Sequence, residues 1–404
     1  MLSILDDVRI IELAHDLAGA FCAKLLADQG ADTIKIEPPG RGDPARYEPP
    51  FLEGVPHPDQ GSLFLAFNTN KRGITLNLET RTGQELLLRL ARDVDVVIES
   101  FPPGYLDSLG LGYQTLQEVN PRLILTSVTP FGQTGPYRHY LSSDLVAQAM
   151  GGTLIGFGDA DKEPMAMPQN QAAITGGRNA AIATMAALLY QGTTGEGQHI
   201  DVSVMEAVVQ TPPGHIHQYS FTGNNVARGA AGGQSSVMDS MHLETQDGYV
   251  TLTTAGTGGV DAMDAWADFL ELPELKDPRF KSRPGRTRYW QELRELVLSK
   301  LRSWKSHEFF KQAMDRRFVV GVVQSPTEVV NCVHLAERGS FMELDHPDMG
   351  LLKYAGAGFL ADGENPVAGS RPAPRLGEHN REVYSALLKL SAEELQQLSA
   401  AGVI

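Results

Sequence analysis

VRIIELAHDLAGAFCAKLLADQGADTIKIE, residues 8–37, is the stretch on which the architecture turns. Val8–Leu13 is an apolar run of strand length. Ala18–Asp28 carries small and apolar residues at helical spacing, and Thr33–Glu37 alternates apolar with charged side chains. A strand, a helix and a second strand in so short a stretch form a βαβ unit, because parallel neighbours need a crossover between them. The same alternation continues downstream. A Pro/Gly-rich loop over 38–61 leads to an amphipathic helix at Thr82–Arg92, with Leu86, Leu87, Leu88 and Leu90 on its apolar face. Val94–Ile98 and Leu123–Val128 read as strands and Gly176–Gln191 as a helix. Gly195-Glu196-Gly197 stops that helix before the strand-like His199–Val204. The fold class expected is α/β with a mostly parallel sheet.

The pattern changes after residue 211. From Pro212 to Gln234 the chain is rich in Gly, Pro, Asn and Gln, as a crossover or boundary would be. Met241–Thr254 suggests two strands about the Asp247-Gly248 turn. Charged helices fill Asp264–Arg316, with Trp266, Trp290 and Trp304 as core anchors, and a last helix covers Glu393–Ala401. At 404 residues the chain exceeds the usual single domain, so two lobes are expected.

Composition excludes several classes of function. Lys+Arg 34 against Asp+Glu 49 gives a net charge of −15, which argues against a nucleic-acid partner. The two cysteines, Cys22 and Cys332, can make neither a disulfide framework nor a zinc knuckle. Met1–Val8 lacks the basic, apolar character of a signal peptide. No apolar run reaches the roughly 18 residues of a membrane span. A cytoplasmic protein without membrane contact follows.

Motif chemistry is sparse. The first strand–helix turn, Ala14–Gly19, holds one glycine and is no dinucleotide fingerprint. His215 and His217 have no carboxylate alongside and read as polar loop or interface residues, so no metal is expected. Lys71 and Arg72, at a strand entry, suit either a phosphate or a solvated charged corner. Lys35 and Glu37 suggest a structural ion pair. Asp159, Asp161 and Glu163 suggest a solvated turn.

Several segments taken together resemble one family. They are Leu26–Asp32, Ile34–Gly40, Gly42-Asp43 with Arg46, and Asn68–Arg72. Phe101, Pro103-Gly104 and Leu109–Gly112 follow, then Phe131–Tyr137, Asp144-Leu145, Thr194–Gln198 with Asp201 and Glu206, and Leu376–His379. In this order they resemble class III CoA-transferases of the carnitine dehydratase/bile-acid-inducible (CaiB/BaiF), formyl-CoA transferase-like type. The resemblance implies a Rossmann-like large domain made from both chain ends, over 1–222 and 322–404. It implies a small α+β domain at 223–321, and an interlocked, ring-threaded dimer. It implies transfer of coenzyme A from an acyl-CoA to a carboxylic acid through an aspartyl anhydride and thioester. No cofactor is implied beyond the coenzyme A thioesters that serve as substrates. The CoA-binding residues it implies are His15, Arg41, Arg46, Lys71, Arg72 and Phe101.

The sequence departs from the family at its centre. Counted back from Thr194–Gln198, the nucleophilic aspartate position falls on Ala173, and a slip of one residue lands on Ala172. Ser100 and Pro102 replace an asparagine and an arginine common in the family. Leu17 replaces the glutamine of oxalate-handling members. Ser143 replaces the histidine of the racemase branch, which argues against a racemase. No catalytic residue is therefore assigned. The acids nearest along the chain, Glu163 and Glu196, are distant from Ala173. The first expectation is a non-catalytic subunit whose aspartate-bearing paralogous partner completes a heteromeric enzyme. Benzylsuccinate CoA-transferase, taking CoA from a donor such as succinyl-CoA, is similar in this respect. The alternatives are an active CoA-ester enzyme with non-standard chemistry, or an acyl-CoA-binding protein without turnover.

Overall fold

The structure, a computed structural model, describes residues 4–158, 162–211, 213–225, 242–253, 263–367 and 370–404. The crossover expected at 212–234 lies partly outside them, as do Asp159 and Asp161 of the acidic turn. Two compact units are formed. One contains 1–153, 166–213 and 333–404; the other contains 154–165 and 214–332. The expected small lobe, 223–321, lies inside the second.

The first unit is built on six strands: β1 (Arg9–Glu12), β2 (Asp32–Glu37), β3 (Arg72–Thr75), β4 (Val96–Glu99), β5 (Ile124–Thr129) and β6 (His199–Ser203). They pair in the order β3-β2-β1-β4-β5-β6, and every pairing is parallel. Alternate residues of one strand feed opposite cores. Ile11 and Val97 join one cluster, whereas Ile10, Val96 and Ile98 join the other. Burial on both faces explains why these strands read as apolar runs. Strand order reverses between β1 and β4, and the crevice outside their carboxyl ends is where open α/β sheets place ligands.

Helix α1 (Leu17–Ala27) follows β1. Helices α2 (Ser62–Phe67) and α3 (Arg81–Ala91) flank β3. After β4 come α4 (Tyr105–Ser108) and α5 (Tyr113–Val119), and after β5 come α6 (Asp144–Met150) and α7 (Gln171–Thr194). Thr80 caps α3 by accepting from the Gly83 N–H, and Leu86, Leu87 and Leu90 are buried beneath it. α7 begins five residues earlier than the sequence indicated, so it includes Ala173. It ends at Gly195, whose φ of 79° is the left-handed conformation that closes helices. α7 lies close against α1 because Gly177 has no side chain; a Cβ there would collide with the Ala18 carbonyl oxygen.

The chain's end protects the exposed edge of β3. His379 N–H donates to the Gly73 carbonyl at 2.9 Å, and the Tyr384 hydroxyl donates to the Thr75 carbonyl at 2.8 Å. An unpaired edge is thereby covered. The second unit has an antiparallel sheet of His242–Glu244, Tyr249–Leu252 and Val320–Val322, with helices at Met263–Leu270, Arg283–Arg288, Trp290–Leu301 and Ser306–Asp315. Trp266 is buried in its core and stacks on Phe318 at 3.9 Å; Trp304 packs at the margin, and Trp290 is half-buried.

Gly177→Val is expected to destabilise the protein by about 1–3 kcal/mol through overpacking against α1. Gly192→Ala, on the same helix with open space where a Cβ would stand, is expected to stabilise it by about 0.5–1 kcal/mol. Urea denaturation of both variants checks the pair.

Candidate active site

Three of the six expected CoA contacts are engaged inside the protein. Arg46 is fully buried: its Nε and Nη2 donate to the two Glu37 oxygens at 2.7 and 2.8 Å, and its Nη1 donates to Asp59 at 2.8 Å. Its guanidinium also lies 3.7 Å from the centre of the Phe64 ring. Lys71 donates to the Ala20 carbonyl and to Asn68 Oδ1, each at 2.8 Å, and pairs with Glu12 at 2.6 Å. Arg72 clasps Asp32 through Nε and Nη2 and reaches Glu382 at 2.9 Å. None of the three is the solvated corner that sequence allowed for Lys71 and Arg72. Lys35 and Glu37 do not pair with each other, because residues two apart on a strand meet different neighbours. Lys35 pairs with Glu12 at 2.8 Å and Asp43 at 2.7 Å, while Glu37 takes Arg46.

Burial disfavours the charged form of Lys35, but Asp43 and Glu12 outweigh it and raise its pKa above the usual lysine value. Burial likewise opposes the ionised Asp43, yet Lys35 holds its pKa low. Lys71 is pushed down to about 8 by burial, against the pull of Glu12.

The other three residues lie at or near the switch point. His15 and Phe101 follow β1 and β4, and their rings meet edge to face with centroids 5.4 Å apart. The His15 N–H donates to Ser100 Oγ at 3.0 Å, tying the two strand ends together. Burial, then Lys35, lowers the His15 pKa, so its imidazole is neutral at pH 7. Arg41 is exposed on the loop after β2, between Gly40 and Gly42, both with φ of 70°. Among the described residues none engages its guanidinium.

Ala173 stands one helical turn before Gly177, on the same face of α7. Its N–H donates to Asp144 Oδ1 at 3.0 Å, and Gln148 Nε2 donates to Asp144 Oδ2 at 2.6 Å. Buried Gln148 in turn exchanges hydrogen bonds with both backbone groups of Met167. Counting along the chain had pointed only to Glu163 and Glu196. Asp144 belongs to the family-like segments, but its place beside Ala173 is not legible in sequence, because a carboxylate 29 residues away reaches that position only through the tertiary fold.

Two further acids had no sequence signal. Asp16 caps α1 by accepting from Gly19 N–H at 2.8 Å, and burial, then nearby Asp43, pushes its pKa to about 7 despite that bond. Glu99, at the end of β4, is 4% exposed and is also pushed by burial to about 7. Among the described residues no group of three His, Cys, Asp or Glu side chains could hold a metal ion. No helix among them is long and apolar enough to cross a membrane.

The family described as "CoA-transferase family III" matches residues 5–380. Among curated proteins, the chain is 32% identical to the succinyl-CoA–D-citramalate CoA-transferase of Chloroflexus aurantiacus, over 99% of this chain and 98% of that one. It is 30% identical to the succinate–glutarate CoA-transferase of Agrobacterium fabrum, over 95% of each. It is 30% identical to the formyl-CoA:oxalate CoA-transferase of Streptomyces avermitilis over 100% of each. A solved CaiB/BaiF family structure from Brucella suis superposes with a TM-score of 0.81 at 29% identity, covering 96% of this chain and 100% of that one.

Arg46→Met is expected to cost about 3–5 kcal/mol, because it strands the buried Glu37 carboxylate. Arg81→Met, which breaks only the exposed Arg81–Glu85 pair, should change stability by less than about 0.5 kcal/mol. Chemical denaturation of the two variants side by side measures the contrast.

Proposed function

The chain belongs to CoA-transferase family III, and from that premise we propose that it is the non-catalytic subunit of a heteromeric CoA-transferase. Its partner is a related chain that keeps the aspartate. The observation that carries the reading is Ala173. Thioester exchange through an anhydride needs a side-chain carboxylate, and that position offers a methyl group.

The relatives named above act, by their names, on succinyl-CoA or formyl-CoA and on citramalate, glutarate or oxalate. The substrates we propose are accordingly an acyl-CoA and a small dicarboxylic acid, a class that includes benzylsuccinate. The residues we propose to meet coenzyme A are His15, Phe101 and Arg41. Arg46, Lys71 and Arg72 act as the frame behind them, since their charges already have protein partners. An interlocked dimer is supported by apolar side chains left bare on and beside α6 and α7. Leu141 is 96% exposed and Leu189 74%, and Ile182 and Leu145 are exposed as well.

One observation favours a second reading, an active enzyme with a relocated carboxylate: Asp144 sits on the backbone of Ala173. Both its oxygens already accept hydrogen bonds, however. Those bonds lower its nucleophilicity and suit it to holding the helix start instead.

The pure chain, incubated with succinyl-CoA and trapped with hydroxylamine or borohydride, is expected to show no modified carboxylate by mass spectrometry. In the mixed complex the label should fall on the partner alone. Modification of Asp144 would overturn the non-catalytic reading in favour of the second. Ala173→Asp is expected to leave the homomeric chain at least tenfold less active than the mixed complex, because Leu17, Ser100 and Pro102 also differ from the family.

A further inference from the structure

A polar cavity of about 330 Å³ opens on one face of the sheet beside β4, β5 and β6, lined in part by Glu99, Ser127, His199, Tyr113 and Asp107. It belongs neither to the Ala173 helix start nor to the buried ion pairs. Glu99 is its buried end. One carboxylate oxygen, Oε2, accepts from the Phe101 N–H at 2.6 Å, and the nearby Ser127 side chain favours the ionised form. Ser127 Oγ lies 2.9 Å from His199 Nε2, and the exposed His199 ring stacks on Tyr113 at 5.4 Å. A hydroxyl has one proton to give. If Ser127 gives it to Glu99, the His199 Nε2–H must donate to Ser127. The Ser127–His199 pair thus stands between solvent and a buried acid, and that acid holds the backbone of Phe101, whose ring meets His15 at the switch point.

We propose that Glu99 is a positioning residue of the switch-point crevice: its ionised carboxylate fixes the Phe101 backbone, and the Ser127–His199 pair exchanges its proton with solvent. The state of that proton then sets how firmly Phe101 is presented to an acyl-CoA. The consequence for ligand binding rests on the reading that His15 and Phe101 meet coenzyme A.

The sign follows from the bonds. Ionised Glu99 accepts from the Phe101 N–H with charge assistance, and protonation weakens that bond. The titratable groups around it are Asp16 at the start of α1, Asp107 on α4, Tyr113 on α5, and His199 and Asp201 on β6. Burial first, then Asp16 and Asp201, raise the Glu99 pKa to about 7, against the opposing pull of Ser127 and of the Phe101 bond. Partial burial of the ring lowers the His199 pKa and so favours the neutral imidazole, which can both take and give a proton. Ionised Glu99, and with it the firmly held Phe101, prevails above pH 7 and is lost as pH falls through 7.

Two measurements test this. In the unliganded protein, the Phe101 amide resonance is expected to titrate between pH 6 and 8, and Glu99→Gln should flatten it. A flat wild-type profile, or one that persists in Glu99→Gln, overturns the proposal whether or not coenzyme A binds. By calorimetry with coenzyme A, wild-type affinity is expected to fall about three- to tenfold from pH 8 to pH 6 beyond the fall seen in Glu99→Gln. Subtracting that variant removes the ligand's own phosphate titration, which falls near pH 6. If Phe101→Ala leaves coenzyme A binding unchanged while the amide still titrates, the pocket reading fails and the Glu99 switch stands. If Phe101→Ala weakens binding and Glu99→Gln shares the wild-type pH profile, the positioning role fails and the pocket stands.

Discussion

The crevice depends on a neutralised cluster of charge with almost no exposure to water. Glu12, Glu37 and Asp43 supply three negative charges; Lys35, Arg46 and Lys71 supply three positive ones. Burying any one of these ions alone costs several kcal/mol, so the set persists only as a whole. Its members lie on β1, on β2, in the loop after β2 and just before β3. Their pairing therefore fixes the carboxyl ends of adjacent strands against the 38–61 loop. Whatever enters the switch point meets a wall whose shape is set by electrostatics already satisfied. Loosening one pair would move strand ends as well as a single side chain.

The start of α7 is held by groups other than the Ala173 side chain. The residue before that helix, Asn170, takes a left-handed φ of 58° and makes no side-chain cap. Asp144 caps the helix instead, and the buried Gln148 holds Asp144 and Met167 together. Position 173 contributes a backbone N–H to this bracket and nothing from its side chain. The Ala173 methyl group packs against the core beside α1 instead.

Periodicity and punctuation made much of the first unit legible. Val8–Leu13 and His199–Val204 contain the strands found, Thr33–Glu37 misses only the first residue of β2, and Gly195 stops α7 where its turn sequence indicated. Less legible was what cations do. Arg46, a coenzyme A contact by the resemblance, and Lys71 and Arg72, open between a phosphate and a solvated corner, each face an acid that sequence does not place opposite them: Glu37, Glu12 and Asp32. Lys35 and Glu37 showed the reverse difficulty: neighbours in sequence, they pair with other residues and not with each other. Asp144 over Ala173 and Glu99 behind Phe101 had no local signature, since each contact is made only when separate strands and helices assemble.

These features limit what the isolated chain can hold. The first turn of a helix after β1 often receives a ligand phosphate, but here the Asp16 carboxylate occupies the α1 N-terminus. A second acid, Glu99, lies behind the same crevice, and the chain as a whole carries −15. Of the six cations and aromatic groups expected to meet coenzyme A, only Arg41 offers a positive charge without a protein partner among the described residues. A polyanion would meet the His15 and Phe101 rings, the Arg41 guanidinium and two acids whose ionised forms repel it. On the non-catalytic reading proposed above, attraction for its phosphates would come in part from a partner subunit. A partner that brings both the missing carboxylate and further positive charge would complete the site, and the bare apolar faces of α6 and α7 are available to receive one.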